Sequence, residues 1–426
     1  MLQQIWHQMS FKPSLNRTQF CSNAHFLTDK NGTVDVGDSW SVGGSYEGVF
    51  PAGLLATLSS TPLEKRNVRL YRRDPLTPWK VKLSITAGHT VVTEQSKSLA
   101  EIEMERHLVT PGVQRIPIRT GRVRGALYIP PGPGPFPGIV DMFGSVGGLF
   151  EFRSAMLASR GFACLALAVF LYDDLPNTSE KLDFDYFQDA MKILLSHPKV
   201  IPDRCGVAGN SKNGDVIFNM GILFEQVKAV VGINAITFNM HTEFSYKDKV
   251  YAKGLEIPPE SLFVDENGLM CTDISACFDN DLPHMIPVEK ADDDTYFLIA
   301  CGEDDACGFK HCPPPFIERM KAHGRKNYEI ALYPGAGHIL QPPYDPFLHN
   351  AFHRYLPTNA KYNGKPLTGG TIIKWGGNPI STCKAQVALW QHMQKFYIQH
   401  VRDESPWYQN YLQNPMQDSQ NIKSHV

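Results

Sequence analysis

Short stretches of alternating apolar and polar residues run from about residue 20 to residue 113. Residues 68–72 and 79–85 follow the alternation closely, which is typical of strands that bury one face. Glycine, proline, asparagine and aspartate separate the stretches, and these residue types favour turns. The pattern predicts an all-β sandwich in the N-terminal part of the chain.

Beyond residue 138 the pattern changes to continuous apolar runs that alternate with amphipathic segments. Apolar runs of this kind are typical of a mostly parallel sheet with helices on both faces. The predicted strands are residues 139–143, 163–169, 205–208, 229–233, 296–300 and 328–332. The predicted helices are residues 149–160, 186–196, 215–224 and 383–401.

The two patterns divide the chain into an N-terminal β-sandwich, residues 1–115, and a C-terminal α/β domain, residues 116–405. Residues 242–293 interrupt the alternation of strands and helices, and we expect them to form a lid over the carboxyl ends of the strands. Residues 406–426 are polar, which predicts a frayed tail. A length of 426 residues accommodates two domains of these sizes.

Composition and charge exclude several classes of protein. The chain has 41 Lys and Arg residues against 43 Asp and Glu residues, a formal net charge of −2. It has no basic stripe that would predict a nucleic-acid partner. The longest uncharged apolar stretch, residues 161–172, is too short to span a bilayer. The first residues also lack the apolar core of a secretory signal.

Cysteine usage favours a reducing compartment, because the nine cysteines are odd in number and scattered along the chain. The densest group of metal-ligating residue types is Cys301, Cys307, His311 and Cys312. This group contains no Cys-x-x-Cys pair, the spacing typical of many zinc sites. We therefore predict no metal and no cofactor. We expect a monomer or a weak dimer.

The segment 208–214, Ala-Gly-Asn-Ser-Lys-Asn-Gly, lies between a predicted strand and a predicted helix, where a tight turn presents a nucleophile. Ser211 is the candidate, and it needs a base and an acid that orients the base. Asp304 and Asp305 follow one later strand, and His338 follows the next. The order Ser, Asp, His predicts an α/β hydrolase. Asp305 is the preferred acid because it stands three residues after a glycine.

Two backbone N–H groups are needed to stabilise the oxyanion of such a reaction. The first predicted donor is the backbone N–H of Lys212, which directly follows the candidate nucleophile. The other is expected from the stretch 143–148, which follows the first parallel strand and contains three glycines. Within it, Gly144 and Ser145 are the candidate donors. Ser145 is also a weaker alternative nucleophile, since no turn pattern surrounds it.

The chain resembles the acyl-CoA thioesterase and bile acid-CoA:amino acid N-acyltransferase family over about residues 24–400. The motifs that carry the resemblance are Gly-Gly-Ser-Tyr-Glu-Gly at 43–48, Arg-Leu-Tyr-Arg-Arg-Asp at 69–74, the segment 121–144, Asp-Leu-Pro at 174–176, Gly-Glu-Asp-Asp at 302–305 and Trp-Gly-Gly at 375–377. The resemblance implies an N-terminal immunoglobulin-like β-sandwich followed by an α/β-hydrolase domain. It also implies that Ser211 is the nucleophile, Asp305 the acid and His338 the base.

Within the family, the resemblance implies that a serine nucleophile accompanies transfer of the acyl group to water and a cysteine accompanies transfer to glycine or taurine. Ser211 therefore predicts hydrolysis of an acyl-CoA through an acyl-serine intermediate, with acyl-CoA and water as reactants. Two alternatives remain open. One is an acyl-CoA:amino acid N-acyltransferase, and the other is a non-catalytic acyl-CoA-binding protein.

The chain departs from the family pattern at two places. Asn213 stands where the Gly-x-Ser-x-Gly motif has glycine, and glycine follows one residue later. This predicts a slower or abolished reaction, because the position normally requires a small residue. The chain also starts about 25 to 30 residues later than typical members, so we expect the first sandwich strand to be missing. The cytoplasm is the expected location, ahead of mitochondria or peroxisomes, since the last three residues, Ser-His-Val, do not form a peroxisomal signal.

Overall fold

The computed structural model describes residues 2–9, 19–61, 67–71, 74–87, 98–278, 282–353, 361–362, 365–366 and 370–401. The first part of the chain forms one antiparallel sheet of seven strands, in the order β4-β3-β2-β1-β6-β7 with β5 against β2. Its strands are β1 (Leu2–Met9), β2 (Gln19–Leu27), β3 (Ser41–Gly44), β4 (Glu47–Gly48), β5 (Ser59–Thr61), β6 (Trp79–Ala87) and β7 (Ser98–Arg106). One short helix, α1 (Gly53–Ala56), packs against β2.

The N-terminal sheet follows the alternation of its sequence. In β2 every second residue is buried, and Ala24 and Phe26 pack on Phe50 and Leu54. The predicted strand at residues 79–85 is confirmed by β6. The predicted strand at 68–72 is wrong, because the described part of it has no strand structure. Arg69 and Tyr71 contact the second domain while Leu70 packs in the N-terminal core, and residues 72 and 73 lie outside the described residues.

The second part of the chain forms a sheet of eight strands, in the order β20-β19-β14-β13-β10-β11-β9-β8. Its strands are β8 (Gln114–Thr120), β9 (Val123–Ile129), β10 (Phe136–Met142), β11 (Ala163–Leu167), β13 (Val200–Asn210), β14 (Val227–Ile233), β19 (Tyr296–Gly302) and β20 (Tyr328–Tyr333). The six strands β10, β11, β13, β14, β19 and β20 pair in parallel, and β9 pairs antiparallel with both β11 and β8. All six predicted parallel strands are confirmed.

Helices cover both faces of this sheet. They are α2 (Phe152–Ala158), α3 (Phe184–Leu195), α4 (Gly214–Leu223), α5 (Pro313–Ala322) and α6 (Pro379–His400). Neighbouring residues of β10 point to opposite faces, so that Val140 packs in the core under α3, α4 and α5 while Ile139 packs in the core under α2 and α6. Burial on both faces explains the continuous apolar runs of the sequence. The predicted fold, an all-β N-terminal domain and an α/β-hydrolase domain, is confirmed.

Smaller sheets lie beside the eight-stranded sheet. Their strands are β12 (Lys181–Asp183), β15 (Glu243–Tyr246), β16 (Lys249–Lys253), β17 (Leu262–Val264), β18 (Met270–Thr272), β21 (Asn350–His353), β22 (Lys361–Tyr362), β23 (Lys365–Pro366) and β24 (Thr371–Lys374). Four of them come from the interruption at 242–293. Of these, β15 pairs with β12 and β18 pairs with β24, whereas β16 pairs with β15 and β17 with β18. Near the carboxyl end of β19, the amide of Thr272 donates to the carbonyl of Ala306 at 3.3 Å.

The change from the first large sheet to the second falls between β7 and β8, at residues 107–113. Across this junction the two domains touch: the Arg106 guanidinium donates to the main-chain carbonyls of Pro343 and Tyr344 at 3.0 and 2.8 Å. Among the helices of the described ranges, none combines the length and apolar character needed to cross a bilayer.

Candidate active site

Ser211 occupies a tight turn between β13 and α4. The strand ends at Asn210, a single 3₁₀ turn spans Ser211–Asn213, and α4 begins at Gly214. Ser211 has φ of +54°, a left-handed conformation that few non-glycine residues adopt. Such a conformation costs on the order of 1–3 kcal/mol and is found mainly at functional sites. The turn is therefore the strained strand-to-helix turn that presents a nucleophile in α/β hydrolases.

The structure brings three of the predicted residues into one chain of hydrogen bonds. His338 Nε2 lies 3.0 Å from Ser211 Oγ, and His338 Nδ1 lies 2.7 Å from Asp305 Oδ2. Since a carboxylate can only accept, the ring proton belongs on Nδ1, which leaves Nε2 free to accept the serine proton. Asp305 and His338 are both buried. This geometry is the one that the predicted roles of nucleophile, base and orienting acid require.

The two candidate acids differ in burial and in contacts. Asp304 is exposed, whereas Asp305 is 1% exposed and lies against the imidazole of His338. The second carboxylate oxygen of Asp305 accepts the backbone amide of Cys307 at 2.7 Å. Both oxygens of Asp305 thus have defined donors, which fixes the orientation of the carboxylate toward the histidine.

Asn234 links the loop that carries Asp305 to the loop that carries His338. It follows β14 directly, is 1% exposed and has φ of +42°. Its side-chain oxygen accepts the amide of Gly302 at 2.8 Å, and its side-chain nitrogen donates to the carbonyls of His338 and Gly337 at 2.7 and 3.2 Å. Sequence reasoning missed this residue, and its place directly after a buried parallel strand is the signal that could have found it.

The Trp375-Gly-Gly motif lies between the same two loops. The carbonyl of Trp375 accepts the amides of His338 and Ala306 at 2.8 and 3.3 Å, and its ring stacks on the His338 ring with centroids 5.3 Å apart. A Cβ on Gly376 would lie 2.0 Å from the carbonyl oxygen of Asp304. Only glycine fits such an approach. The motif, which the sequence marked only as part of a resemblance, holds the histidine and the acid loop together.

Gly144 and Lys212 both adjoin Ser211, Gly144 in space and Lys212 as the next residue of the chain. A Cβ on Gly144 would be 3.5 Å from Ser211 Cβ, so the backbone of residue 144 directly borders the serine. We call residues 143–150 the strand-exit loop, because they follow the end of β10. Ser145 in this loop hydrogen bonds through Oγ to Nε2 of buried His353 at 3.3 Å. The amides of residues 144, 145 and 212 therefore remain the predicted oxyanion donors.

The side chain of Lys212 is buried beside the nucleophile and pairs with buried Asp215 on α4. Burial raises the pKa of the Asp215 carboxyl, while the ammonium of Lys212 opposes that shift. The Asp215 carboxylate thus provides a partner for the buried Lys212 ammonium next to the turn. Asp215 also accepts the amide of Met240 at 3.3 Å, which ties the turn to the segment that leads into β15.

Asp305, Cys307 and His338 place one potential metal ligand each within 4.8 Å of the others. Two of the three already bond to each other, and burial raises the pKa of the Cys307 thiol well above its usual range. A metal binds the thiolate, which this environment disfavours. Of the cysteines and the histidine that drew attention between residues 301 and 312, only Cys307 belongs to this group.

Asn213 adopts an ordinary backbone conformation, with φ of −72°. It is buried, and among the described residues its side-chain nitrogen has no hydrogen-bond partner. The close approach of the helix to the neighbouring chain occurs one residue later, where a Cβ on Gly214 would lie 2.3 Å from the carbonyl oxygen of Ile236. The requirement for a small residue, which we expected at position 213, therefore falls on Gly214.

The strand order of the second domain, together with a serine on the turn between its central strand and the following helix, defines the protein as an α/β hydrolase. A family model described as "Acyl-CoA thioester hydrolase/BAAT N-terminal region" matches residues 6–120, and one described as "BAAT / Acyl-CoA thioester hydrolase C terminal" matches residues 182–403. The chain belongs to this family of acyl-CoA thioester hydrolases and bile acid-CoA:amino acid N-acyltransferases.

Individual relatives include proteins of both branches. The chain is 38% identical to human acyl-coenzyme A thioesterase 2, mitochondrial, over 90% of this chain and 76% of that protein. It is 38% identical to rat acyl-coenzyme A amino acid N-acyltransferase 2, over 90% of this chain and 88% of that protein. Mouse bile acid-CoA:amino acid N-acyltransferase is 37% identical, with the same two coverages. Identity alone therefore does not separate the two branches.

Proposed function

We propose that the protein hydrolyses acyl-CoA thioesters to a free acid and CoA. The observation that carries the proposal is the continuous hydrogen-bond chain from Asp305 through His338 to Ser211, at 2.7 and 3.0 Å. A serine within reach of an oriented imidazole is an activated nucleophile. Membership of the family supports a thioester of CoA as the substrate, and the cytoplasm is the location that we propose.

In the proposed reaction, His338 removes the Ser211 proton while Oγ attacks the thioester carbonyl. The tetrahedral oxyanion is held by the amides of Lys212 and of Gly144 or Ser145, and collapse expels CoA as the thiol after protonation by His338. Water then attacks the acyl-serine with His338 again as the base, which releases the acid and regenerates Ser211. Each donated N–H contributes about 2.7–4 kcal/mol to transition-state stabilisation in comparable sites.

A panel of acyl-CoAs from short to long chains, assayed with and without glycine or taurine, tests the proposed function. We expect release of CoA and free acid in equal amounts and at a rate that the amine does not change. Mass spectrometry of the product identifies the acyl acceptor. Release of CoA with no free acid would contradict hydrolysis, and absence of turnover across the panel would contradict an acyl-CoA substrate.

The second candidate function is transfer of the acyl group to an amino acid. It is favoured by the equal similarity of the chain to N-acyltransferases. Its signature is an amide product whose yield rises with the concentration of glycine or taurine. An acyl-thioester intermediate stays reactive toward amines, whereas an acyl-serine ester is more readily left to water. Hydrolysis therefore remains the leading proposal.

The variant Asn213→Gly tests whether position 213 weakens the enzyme. We expect kcat to change by less than about threefold, because Asn213 has an ordinary backbone conformation and the close approach to the neighbouring chain falls on Gly214. The matched variant Gly214→Ala, whose methyl group meets the Ile236 backbone, is expected to lower stability by about 1–3 kcal/mol. A tenfold gain in kcat for Asn213→Gly would instead support a decayed, acyl-CoA-binding relative.

A further inference from the structure

The first and last residues of the strand-exit loop, residues 143–150, contact each other. The ring of Phe143 stacks on the ring of Phe150 with centroids 4.5 Å apart and an angle of 26° between the planes. Phe152, the first residue of α2, packs edge-on against Phe143 at 5.8 Å. The backbone of Gly144, which borders Ser211, follows Phe143 directly. The Phe143 ring is therefore one residue away from the backbone that borders Ser211.

Residues 67–71 of the N-terminal domain lie against this aromatic pair. The guanidinium carbon of Arg69 lies 5.1 Å from the centroid of the Phe143 ring, a cation–π distance. The ring of Tyr71 lies 5.0 Å from that of Phe150, and the Tyr71 hydroxyl donates to the carbonyl of Leu149 at 3.2 Å. One short segment thus contacts the beginning and the end of the strand-exit loop.

The same segment also contacts the strand that holds the middle of the loop. The carbonyl of Asn67 accepts the backbone amide of Phe352 in β21 at 3.2 Å. The next residue, His353, bonds to the Ser145 hydroxyl at 3.3 Å. Residues 67–71 therefore support the strand-exit loop directly through its aromatic ends and indirectly through β21.

We propose that residues 67–71 position the strand-exit loop for oxyanion binding, with Arg69 and Tyr71 as positioning residues. This inference rests on the proposed function, because it assumes that the loop amides bind the oxyanion. It gives the N-terminal domain an indirect role in catalysis, exerted through Phe143, Leu149, Phe150 and β21.

The physical consequence is a defect in turnover rather than in substrate binding. Interactions made only in the transition state raise kcat and leave KM unchanged. A displacement of catalytic groups by about 1 Å lowers the rate by up to about 100-fold. Loosening the support of the loop should therefore lower kcat and leave the binding of the CoA portion as it is.

The test compares two full-length variants that both remove contacts between the domains. In the double variant Arg69→Met/Tyr71→Phe, the rings and aliphatic stems stay but the cation–π contact and the bond to Leu149 are lost. We expect kcat to fall by roughly 10- to 100-fold and KM to change by less than about threefold. Affinity for an alkyl trifluoromethyl ketone, whose carbonyl adds Ser211 Oγ and so becomes an oxyanion, should fall by the same factor as kcat.

Arg106→Met is the matched control. Arg106 also lies over an aromatic ring, that of Trp79 at 5.2 Å, and like Arg69 it interacts with the charge of Asp345, but it bonds to the carbonyls of residues 343 and 344 rather than to the strand-exit loop. We expect the control to lower the melting temperature comparably and to keep kcat within about twofold. The single variant Tyr71→Phe, which lacks only one hydroxyl, provides the kinetic reading if the double variant does not fold.

Unchanged kcat in Tyr71→Phe and in the folded double variant would overturn the inference, and so would an equal loss of kcat in Arg106→Met. The variant Ser211→Ala separates this failure from failure of the proposed function. If Ser211→Ala is inactive while the Arg69 and Tyr71 variants turn over normally, only the positioning role is lost. If Ser211→Ala keeps its activity, the proposed reaction itself is wrong.

Discussion

Ser211→Ala lowers kcat for acyl-CoA hydrolysis by roughly 10⁴- to 10⁶-fold, the largest effect that we expect for any substitution in this protein. Without the hydroxyl no acyl-serine forms, and the backbone donors alone leave only weak catalysis of direct attack by water. Release of the CoA thiol under saturating substrate measures the loss. Electrospray mass spectrometry of the quenched protein should show the acyl adduct only when Ser211 is present.

The fold should tolerate this change. Ser211 keeps its left-handed conformation as alanine, since both residues carry a Cβ, so we expect a melting temperature close to that of the wild type. Ser196→Ala, on an exposed serine at the end of α3, is the matched control and should retain full turnover. A Ser211→Ala protein with kcat within tenfold of the wild type would exclude the acyl-serine mechanism.

Asp305→Asn lowers kcat by roughly 10⁴-fold, the second largest expected effect. The amide of Cys307 requires an acceptor at one side-chain position, so the introduced amide group turns its oxygen there and its nitrogen toward His338. The imidazole then carries its proton on Nε2 and cannot accept the serine proton. The substitution thus preserves the geometry and selects the wrong tautomer.

Asp304→Asn is the control for this prediction. Asp304 precedes Asp305, is exposed and has no bond to His338 in the described part of the chain, so we expect its kcat to stay within about twofold. Steady-state kinetics of both variants over the same pH range provide the measurement. Equal losses of kcat in the two variants, or a larger loss in Asp304→Asn, would show that Asp305 is not the acid of the triad.

Most of the fold could be predicted because its signals are local. A strand of a parallel sheet is buried on both faces, so residues 229–233 and 296–300 appear in the sequence as unbroken apolar runs. The failed strand at 68–72 shows the limit of the same reasoning. Alternating burial arises there because Leu70 packs in the N-terminal core while Arg69 and Tyr71 contact the other domain. An alternating pattern predicts which side chains are buried, but it does not predict which part of the protein buries them.

The residues of the candidate site could also be predicted, whereas the residues that hold their loops in place could not. A nucleophile, an acid and a base must follow strand ends in a set order, and that order is visible along the chain. Asn234 also follows a strand end, but that place does not show its role, because its amide bonds to backbone groups that lie 68 to 104 residues away. An asparagine after a strand is usually a turn residue, and only its three partners distinguish this one.

The sequence by itself determined the two-domain organisation, the family and the candidate residues Ser211, Asp305 and His338. These depend on periodicity along the chain, on motifs and on the order of residues. The tertiary structure alone decided that Gly214 rather than residue 213 needs to be small and that residues 67–71 contact the strand-exit loop. Both follow from distances between segments that are remote in sequence, and such distances depend on how the domains and strands pack rather than on any local pattern.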